Sequence, residues 1–254
     1  MFGVERRSII MTILNEKKSI LVNEVASQFG VVEETIRRDL KELEAQGLLV
    51  RTHGGAVLTE DSKSEAPLEI REGINITGKN SIALQAANLI ADGDTIILDA
   101  STSALFVAKH IKEKKGLTVI TNAVKVVLEL ADCGDITVVS TGGVLRHNSL
   151  SYVGRAAENL LDNYHAGKLF FSCKGISLNR GLTDSNEQES DLRRKMIASS
   201  DKVIFLCDHT KFDRVGYVTT AKLEDMDLMI TDRDLSGEWA DRIRKADIEV
   251  VIAR

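Results

Sequence analysis

Cysteine is scarce in this 254-residue chain: Cys133, Cys173 and Cys207 are an odd set, and no two stand in a Cys-x-x-Cys spacing. The five histidines form no metal-like pair. A disulfide framework and a structural zinc site are therefore excluded, and a reducing compartment is expected. No apolar run approaches the roughly 20 residues of a membrane span. The start, Met1-Phe2-Gly3-Val4-Glu5-Arg6-Arg7, has no apolar segment behind its basic residues. The expectation is a cytoplasmic chain with no membrane partner, no metal and no cofactor.

Excess positive charge is missing as well. Lys and Arg number 33 against 38 Asp and Glu, a formal net charge of -5. Residues 1–57 hold eight of each sign, which leaves 25 basic against 30 acidic residues for the remainder. Neither part is a basic polyelectrolyte, so any nucleic-acid contact must come from a local patch. The length suits a small domain followed by a larger one.

What is present is organised around Glu33-Glu34-Thr35-Ile36-Arg37-Arg38-Asp39-Leu40. Ile36, Leu40 and Leu43 fall at i, i+4 and i+7, the spacing of one buried helix face. Glu34, Arg37, Arg38 and Lys41 fall opposite, where guanidinium forks suit phosphates and guanine edges. The alternative is a solvated face on which the arginines pair with Glu34. Val22 to Phe29 reads as a shorter helix buried through Val25, Ala26 and Phe29. Gly30 stops it, and only Val31 and Val32 separate it from the next helix, a helix-turn-helix connection. Val32 stands where Ser, Thr, Asp or Asn would cap the second helix, so that helix is expected to fray at its start.

Arg6 to Leu14 supplies a preceding helix with a stripe of Ile9, Ile10, Ile13 and Leu14. Gly47 stops the Arg37 helix. Leu48 to Thr52, then His53-Gly54-Gly55, then Ala56 to Leu58 read as a hairpin. Three helices and a hairpin make a winged helix-turn-helix over residues 1–58. Arg51 and His53 then lie near the wing tip, as exposed turn residues or as phosphate or minor-groove contacts. From 59 to 74 the composition shifts to Thr59-Glu60-Asp61-Ser62-Lys63-Ser64-Glu65 and the only proline, Pro67, which reads as a polar linker that lets the N-terminal module move.

From 75 to 254, helical patterns alternate with short runs apolar on both faces: Ile96–Leu98, Val119–Ile120, Ile136–Val139, Leu169–Phe171, Val203–Leu206, Leu228–Ile230 and Val250–Ile252. Such alternation predicts an α/β domain with a mainly parallel sheet. Several runs stop at small polar clusters: Asp99-Ala100-Ser101-Thr102-Ser103, Thr121-Asn122, Ser140-Thr141-Gly142-Gly143, Ser172-Cys173-Lys174-Gly175 and Asp208-His209-Thr210-Lys211. Parallel strand ends lie along one edge, where ligands bind. Ser101 to Ser103 open a helix, so their hydroxyls and free amides suit an anion, with Lys174 and Lys211 adding charge. Taken singly, each cluster is equally an ordinary helix cap or a solvated loop.

Thr35-Ile36-Arg37-Arg38-Asp39-Leu40, then Gly47-Leu48, then Arg51-Thr52-His53-Gly54-Gly55-Ala56 resemble the signature of the DeoR family of bacterial transcription regulators. In the larger domain Asp99 to Ser103, Thr121-Asn122, Gly142-Gly143 and Asp208-His209-Thr210-Lys211-Phe212 resemble the family's sugar-phosphate sensor, whose fold is that of ribose-5-phosphate isomerase. Glu189, followed by Arg193-Arg194 and Met196-Ile197, matches the family's acid and basic pair on a helix. The resemblance implies DNA contacts from Glu34, Thr35, Arg37, Arg38, Lys41, Arg51 and His53. It implies effector contacts from the strand-end residues together with Glu189 and Arg194.

The expectation is therefore a repressor of a sugar-metabolism operon, released from operator DNA by a phosphorylated sugar. One reading helix covers few base pairs, so a homo-oligomer, a dimer or a higher even assembly, is expected. The alternative is a sugar-phosphate isomerase or deaminase with a DNA-binding module attached. Enolisation needs a carboxylate base, and the loop Ser172-Cys173-Lys174-Gly175 offers none, although Asp184, Glu187 and Glu189 stand further along.

Overall fold

The computed structural model describes residues 1–59, 61–235 and 237–254, so Glu60 of the expected linker lies outside the described residues. The chain divides into two compact units, Met1–Ile76 and Thr77–Arg254.

The first unit runs α1 (Gly3–Lys17), β1 (Ser19–Leu21), α2 (Val22–Phe29), α3 (Glu33–Ala45), β2 (Leu49–Arg51), β3 (Gly55–Leu58) and α4 (Leu68–Gly73). Gly30 ends α2 in the left-handed conformation, φ 65°, which glycine adopts without a Cβ penalty. Ile36, Leu40 and Leu43 of α3 pack into one core with Ile10 and Leu14 of α1 and Val25 and Ala26 of α2. The hairpin of β2 and β3 is antiparallel, as the sequence indicates, and β1 pairs with β3 on its other side. Val32 makes no side-chain cap, as its chemistry dictates.

Residues 59–74 differ from the linker reading. Ser64 Oγ donates to the carbonyl of Gly47 at 2.8 Å, and α4 buries Leu68 and Ile70, the latter within the α1–α3 core. This stretch belongs to the winged-helix unit, because Ile70 seats α4 on the core shared by α1, α2 and α3. The boundary between the units falls at Ile76 and Thr77.

The second unit runs α5 (Ile76–Asn88), β4 (Thr95–Leu98), α6 (Thr102–His110), β5 (Leu117–Thr121), α7 (Val124–Leu130), β6 (Ile136–Ser140), β7 (Val144–Arg146), β8 (Ser151–Val153), α8 (Arg155–Leu161), β9 (Ala166–Phe171), β10 (Gly175–Ser177), β11 (Gly181–Asp184), α9 (Glu187–Ala198), β12 (Ser200–Cys207), β13 (Val218–Ala221), β14 (Leu228–Thr231), α10 (Gly237–Lys245) and β15 (Glu249–Ile252). A seven-stranded sheet has the order β15-β14-β12-β9-β4-β5-β6, with every neighbouring pair parallel. Alternate strand residues go to opposite faces. Leu98 and Phe170 lie under α5, α6 and α7, while Ile97, Leu169 and Phe171 lie under α8, α9 and α10. Phe170 and Phe171 are both fully buried, and each contributes about 1.5–3 kcal/mol of apolar burial.

The chain builds β4, β5 and β6 outward in one direction, then returns to place β9 beside β4 and continues the other way. The strand order thus reverses between β4 and β9, and open sheets of this kind bind ligands in the crevice outside the carboxyl ends at such a point. Two antiparallel additions flank that edge: the β7–β8 hairpin, and a small sheet ordered β10-β11-β13.

Candidate functional site

On α3 the residues expected to face DNA divide by their bonds. Glu34, Arg37, Arg38 and Lys41 are exposed, and Thr35 is half-buried. Arg37 donates to Glu33, one turn back, at 2.8 Å, so its partner is Glu33 and not Glu34. Arg38 has no hydrogen bond or ion pair among the described residues. Arg51 is tied back to α3, its Nε donating to Glu44 at 2.6 Å and its backbone N–H to the same carboxylate at 2.9 Å. His53 lies exposed in the turn between β2 and β3.

Asp39 does something the motif alone did not reveal. It is 3% exposed and accepts from Arg6 of α1, with Arg7 at 3.6 Å. The carboxylate therefore clamps α3 to α1. Its place between Ile36 and Leu43 on the buried side of α3 was the available signal.

In the second unit, the carboxyl ends of β4, β9 and β12 meet at the switch point. Ser101 caps α6, its Oγ accepting from the N–H of Ala104 at 3.1 Å. Ser103 is 1% exposed, and its Oγ has no partner among the described residues. Thr102 is buried beside it. Thr121 is spent on structure: its hydroxyl donates to the carbonyl of Leu98 at 2.7 Å and accepts from the N–H of Ala123. Asn122 donates from Nδ2 to the carbonyl of Tyr152, while its buried Oδ1 is unpartnered. Gly142 and Gly143 both have positive φ, and a Cβ on Gly143 would stand 2.7 Å from the carbonyl oxygen of Val153. That pair lets the chain leave β6 for the β7–β8 hairpin.

Across the crevice, Asp208 is buried at the end of β12 and accepts from the N–H of Thr210 at 3.0 Å. Lys211 Nζ donates to the carbonyl of Cys173 at 2.8 Å and stands 3.9 Å from Asp208. Burial by itself would raise the Asp208 carboxyl, but Lys211, Lys79 and the bonds from Thr210 outweigh it and hold the group below its ordinary range. Lys79, a buried lysine near the start of α5, was not singled out in the sequence. Lys174 is half-buried in the loop after β9.

Glu189 and Arg194 separate. Glu189 is buried, and its Oε1 accepts from Ser151 Oγ at 2.8 Å and from Arg146 at 3.3 Å. Arg194 lies instead on the exposed face of α9, donating to the carbonyl of Thr219 at 2.7 Å and pairing with Asp191. The arginine that shares the interior with Glu189 is Arg193, one helical turn along. Its Nε donates to Asp99 at 2.8 Å and a terminal nitrogen donates to Asp184 at 2.7 Å. Burial opposes that charge, and Asp184, Asp99 and Glu189 outweigh burial and push the guanidinium pKa further up. Asp99 also accepts from the N–H groups of Ser101 and Ser172.

A winged helix-turn-helix carried on the same chain as an open parallel sheet, with a polar crevice at its switch point, defines a DNA-binding regulator with a ligand-sensing domain. The model of the DeoR-like helix-turn-helix domain matches residues 6–62, and that of the DeoR C terminal sensor domain matches residues 74–233. The chain belongs to the DeoR family of transcription regulators. It is 43% identical to the uncharacterized HTH-type transcriptional regulator YulB of Bacillus subtilis, covering 92% of this chain and 91% of that one. It is 37% identical to the HTH-type transcriptional regulator GolR of Listeria innocua over the whole of both chains. It is 33% identical to the HTH-type transcriptional repressor GlcR of Bacillus subtilis, covering 99% and 97%. All three carry regulator names, which supports the regulator reading over the isomerase or deaminase alternative. Among solved structures, ribose 5-phosphate isomerase A from Methanocaldococcus jannaschii aligns at a TM-score of 0.40 and 15% identity, over 54% of this chain and 55% of that one. No helix is long and apolar enough among the described residues to cross a membrane.

Proposed function

We propose that this regulator is a cytoplasmic repressor of a sugar-metabolism operon. It reads operator DNA through α3 as a homodimer or higher even assembly, and a phosphorylated sugar at the switch-point crevice weakens that complex. Arg37, Arg38 and Lys41, with Glu34 and Thr35, form the reading face, and Arg51 and His53 add wing contacts. Repression accords with the name of the relative GlcR, a transcriptional repressor.

The observation that carries the effector reading is the partnerless, buried Ser103 hydroxyl in the first turn of α6. A buried donor without a partner costs free energy that a ligand oxygen would recover. The first-turn amides of α6 favour an anion, and Lys211 and Lys79 stand at the same strand-end edge. Asn122 Oδ1, also buried and unpartnered, supplies an acceptor for a sugar hydroxyl.

Titration calorimetry with a panel of sugars and their phosphates tests the site. The wild type is expected to bind one phosphorylated sugar and to bind its unphosphorylated form far more weakly. Lys211→Ala and Thr102→Val are expected to bind operator DNA normally and no longer release it. By linkage, operator DNA weakens sugar-phosphate binding by the same factor that the sugar phosphate weakens DNA binding, about 5- to 150-fold. Equal affinity for both forms of the sugar would remove the phosphate site.

A further inference from the structure

Arg193 takes no part in the effector reading above, yet it is buried on α9 among Leu192 and Met196. Its Nε holds Asp99 at 2.8 Å and a terminal nitrogen holds Asp184 at 2.7 Å, with Glu189 at 3.6 Å. Asp99 spends Oδ1 on the N–H of Ser101 and Oδ2 on the N–H of Ser172 as well as on Arg193. Both of its oxygens are thus committed to the protein. Glu189 reaches the other way, its Oε1 accepting from Ser151 and Arg146 of the β7–β8 hairpin. One guanidinium therefore ties the loop after β4, and through Asp99 the loop after β9, to α9, and it stands 3.6 Å from the α9 glutamate that holds the hairpin.

We propose that Arg193 is the positioning residue of the effector site: it fixes the β4–α6 loop through Asp99 and the β7–β8 hairpin through Glu189, without touching the effector. The functional part of this proposal rests on the effector reading above. A guanidinium presents its donors in a rigid planar fork, so one side chain holds carboxylates on different elements at fixed angles. An ammonium is a point donor and cannot keep both in place. Loosening Asp99 also leaves a carboxylate without its cation two residues from Ser101, where it repels an incoming anion.

The test uses the full chain, amide hydrogen exchange and titration with inorganic phosphate. Arg193→Lys is expected to speed exchange in residues 99–104 and 144–153, while residues 1–76 exchange as in the wild type. Glu189→Gln is expected to release 144–153 alone. Phosphate is expected to bind Arg193→Lys about tenfold more weakly, the scale of losing one charge-assisted hydrogen bond. Asp99→Asn, which keeps the shape and removes the ion pair, is expected to reproduce the exchange pattern at 99–104 and decides the matter should Arg193→Lys not fold. Wild-type exchange at 99–104 in Arg193→Lys and Asp99→Asn, or a uniform acceleration across residues 77–254, would overturn the positioning role. So would wild-type phosphate affinity in a folded Arg193→Lys. If the wild type binds no inorganic phosphate, the phosphate-site reading fails, and the exchange pattern alone decides the role of Arg193.

Discussion

Replacing Arg38 by alanine is expected to weaken operator binding more than replacing Arg37, because the two side chains start from different states. Arg37 is held by Glu33 in an exposed i,i+4 pair at 2.8 Å, whereas Arg38 has no partner among the described residues. Such a pair is worth about 0.3–0.5 kcal/mol, so Arg37 forfeits roughly a factor of two in affinity before it reaches DNA. A bidentate arginine–guanine contact contributes about 1–3 kcal/mol of discrimination, or about 5- to 150-fold. Arg38→Ala is expected to lose that amount at one base position and to relax the preference there. A phosphate contact would instead lower affinity for every sequence and reduce the salt slope by about one unit. Glu33→Gln is the complementary change, freeing Arg37 and removing a negative charge from the same face, and it is expected to tighten binding by roughly twofold. Fluorescence anisotropy on an operator selected from a random-sequence library, repeated from about 50 to about 200 mM salt, separates the cases. If both alanine variants keep wild-type affinity and salt slope, α3 does not read DNA.

Asp39→Ala frees the Arg6 guanidinium, which is 13% exposed and can rehydrate, while Arg7 keeps Glu42 at 2.6 Å. The expected loss is therefore about 2 kcal/mol, below the figure for a fully buried pair. Amide exchange should place that loss within residues 1–76, and unchanged exchange there would refute the clamp. Burial pushes the Cys173 thiol up to about 12 and Cys207 well above its ordinary value, so both stay protonated at pH 8. Iodoacetamide should then label only half-buried Cys133 in the native chain, and mass spectrometry finding Cys173 modified at the denatured rate would contradict it. Light scattering of residues 77–254 should show an even oligomer, and a monomer would place the association elsewhere.

Helix α3 was legible because Ile36, Leu40 and Leu43 repeat on one face, and a helical period is a local property. The parallel sheet was legible because runs such as Val203 to Leu206 are apolar on both sides, which only a doubly covered strand tolerates. Arg193 and Arg194 show where such reading stopped. Adjacent helical residues lie about 100° apart, so choosing between them requires the helix phase. The sequence held that phase: Arg193 stands at i+4 from Glu189, and Leu192 and Met196 mark the same side. Asp99 was expected among the effector contacts, yet its oxygens go to Ser101, Ser172 and Arg193, up to 94 residues away, and no local pattern carries such a pairing. Helix α4 escaped for a simpler reason, since six residues are too few to display a period.

The reversal of strand order between β4 and β9 sets a schedule for the nascent chain. The winged helix closes on itself within its first 76 residues, so it can fold while the rest is still being made. Asp99 emerges long before Arg193 and Lys211, and at about 5–20 residues per second the ribosome needs roughly 6 to 20 seconds to deliver them. During that interval the first half of the sheet waits with a carboxylate that has no cation. A half-made protein can thus own a finished DNA-reading module while its sensor is incomplete, and truncated products lacking the chain beyond β9 would be insensitive to effector by construction.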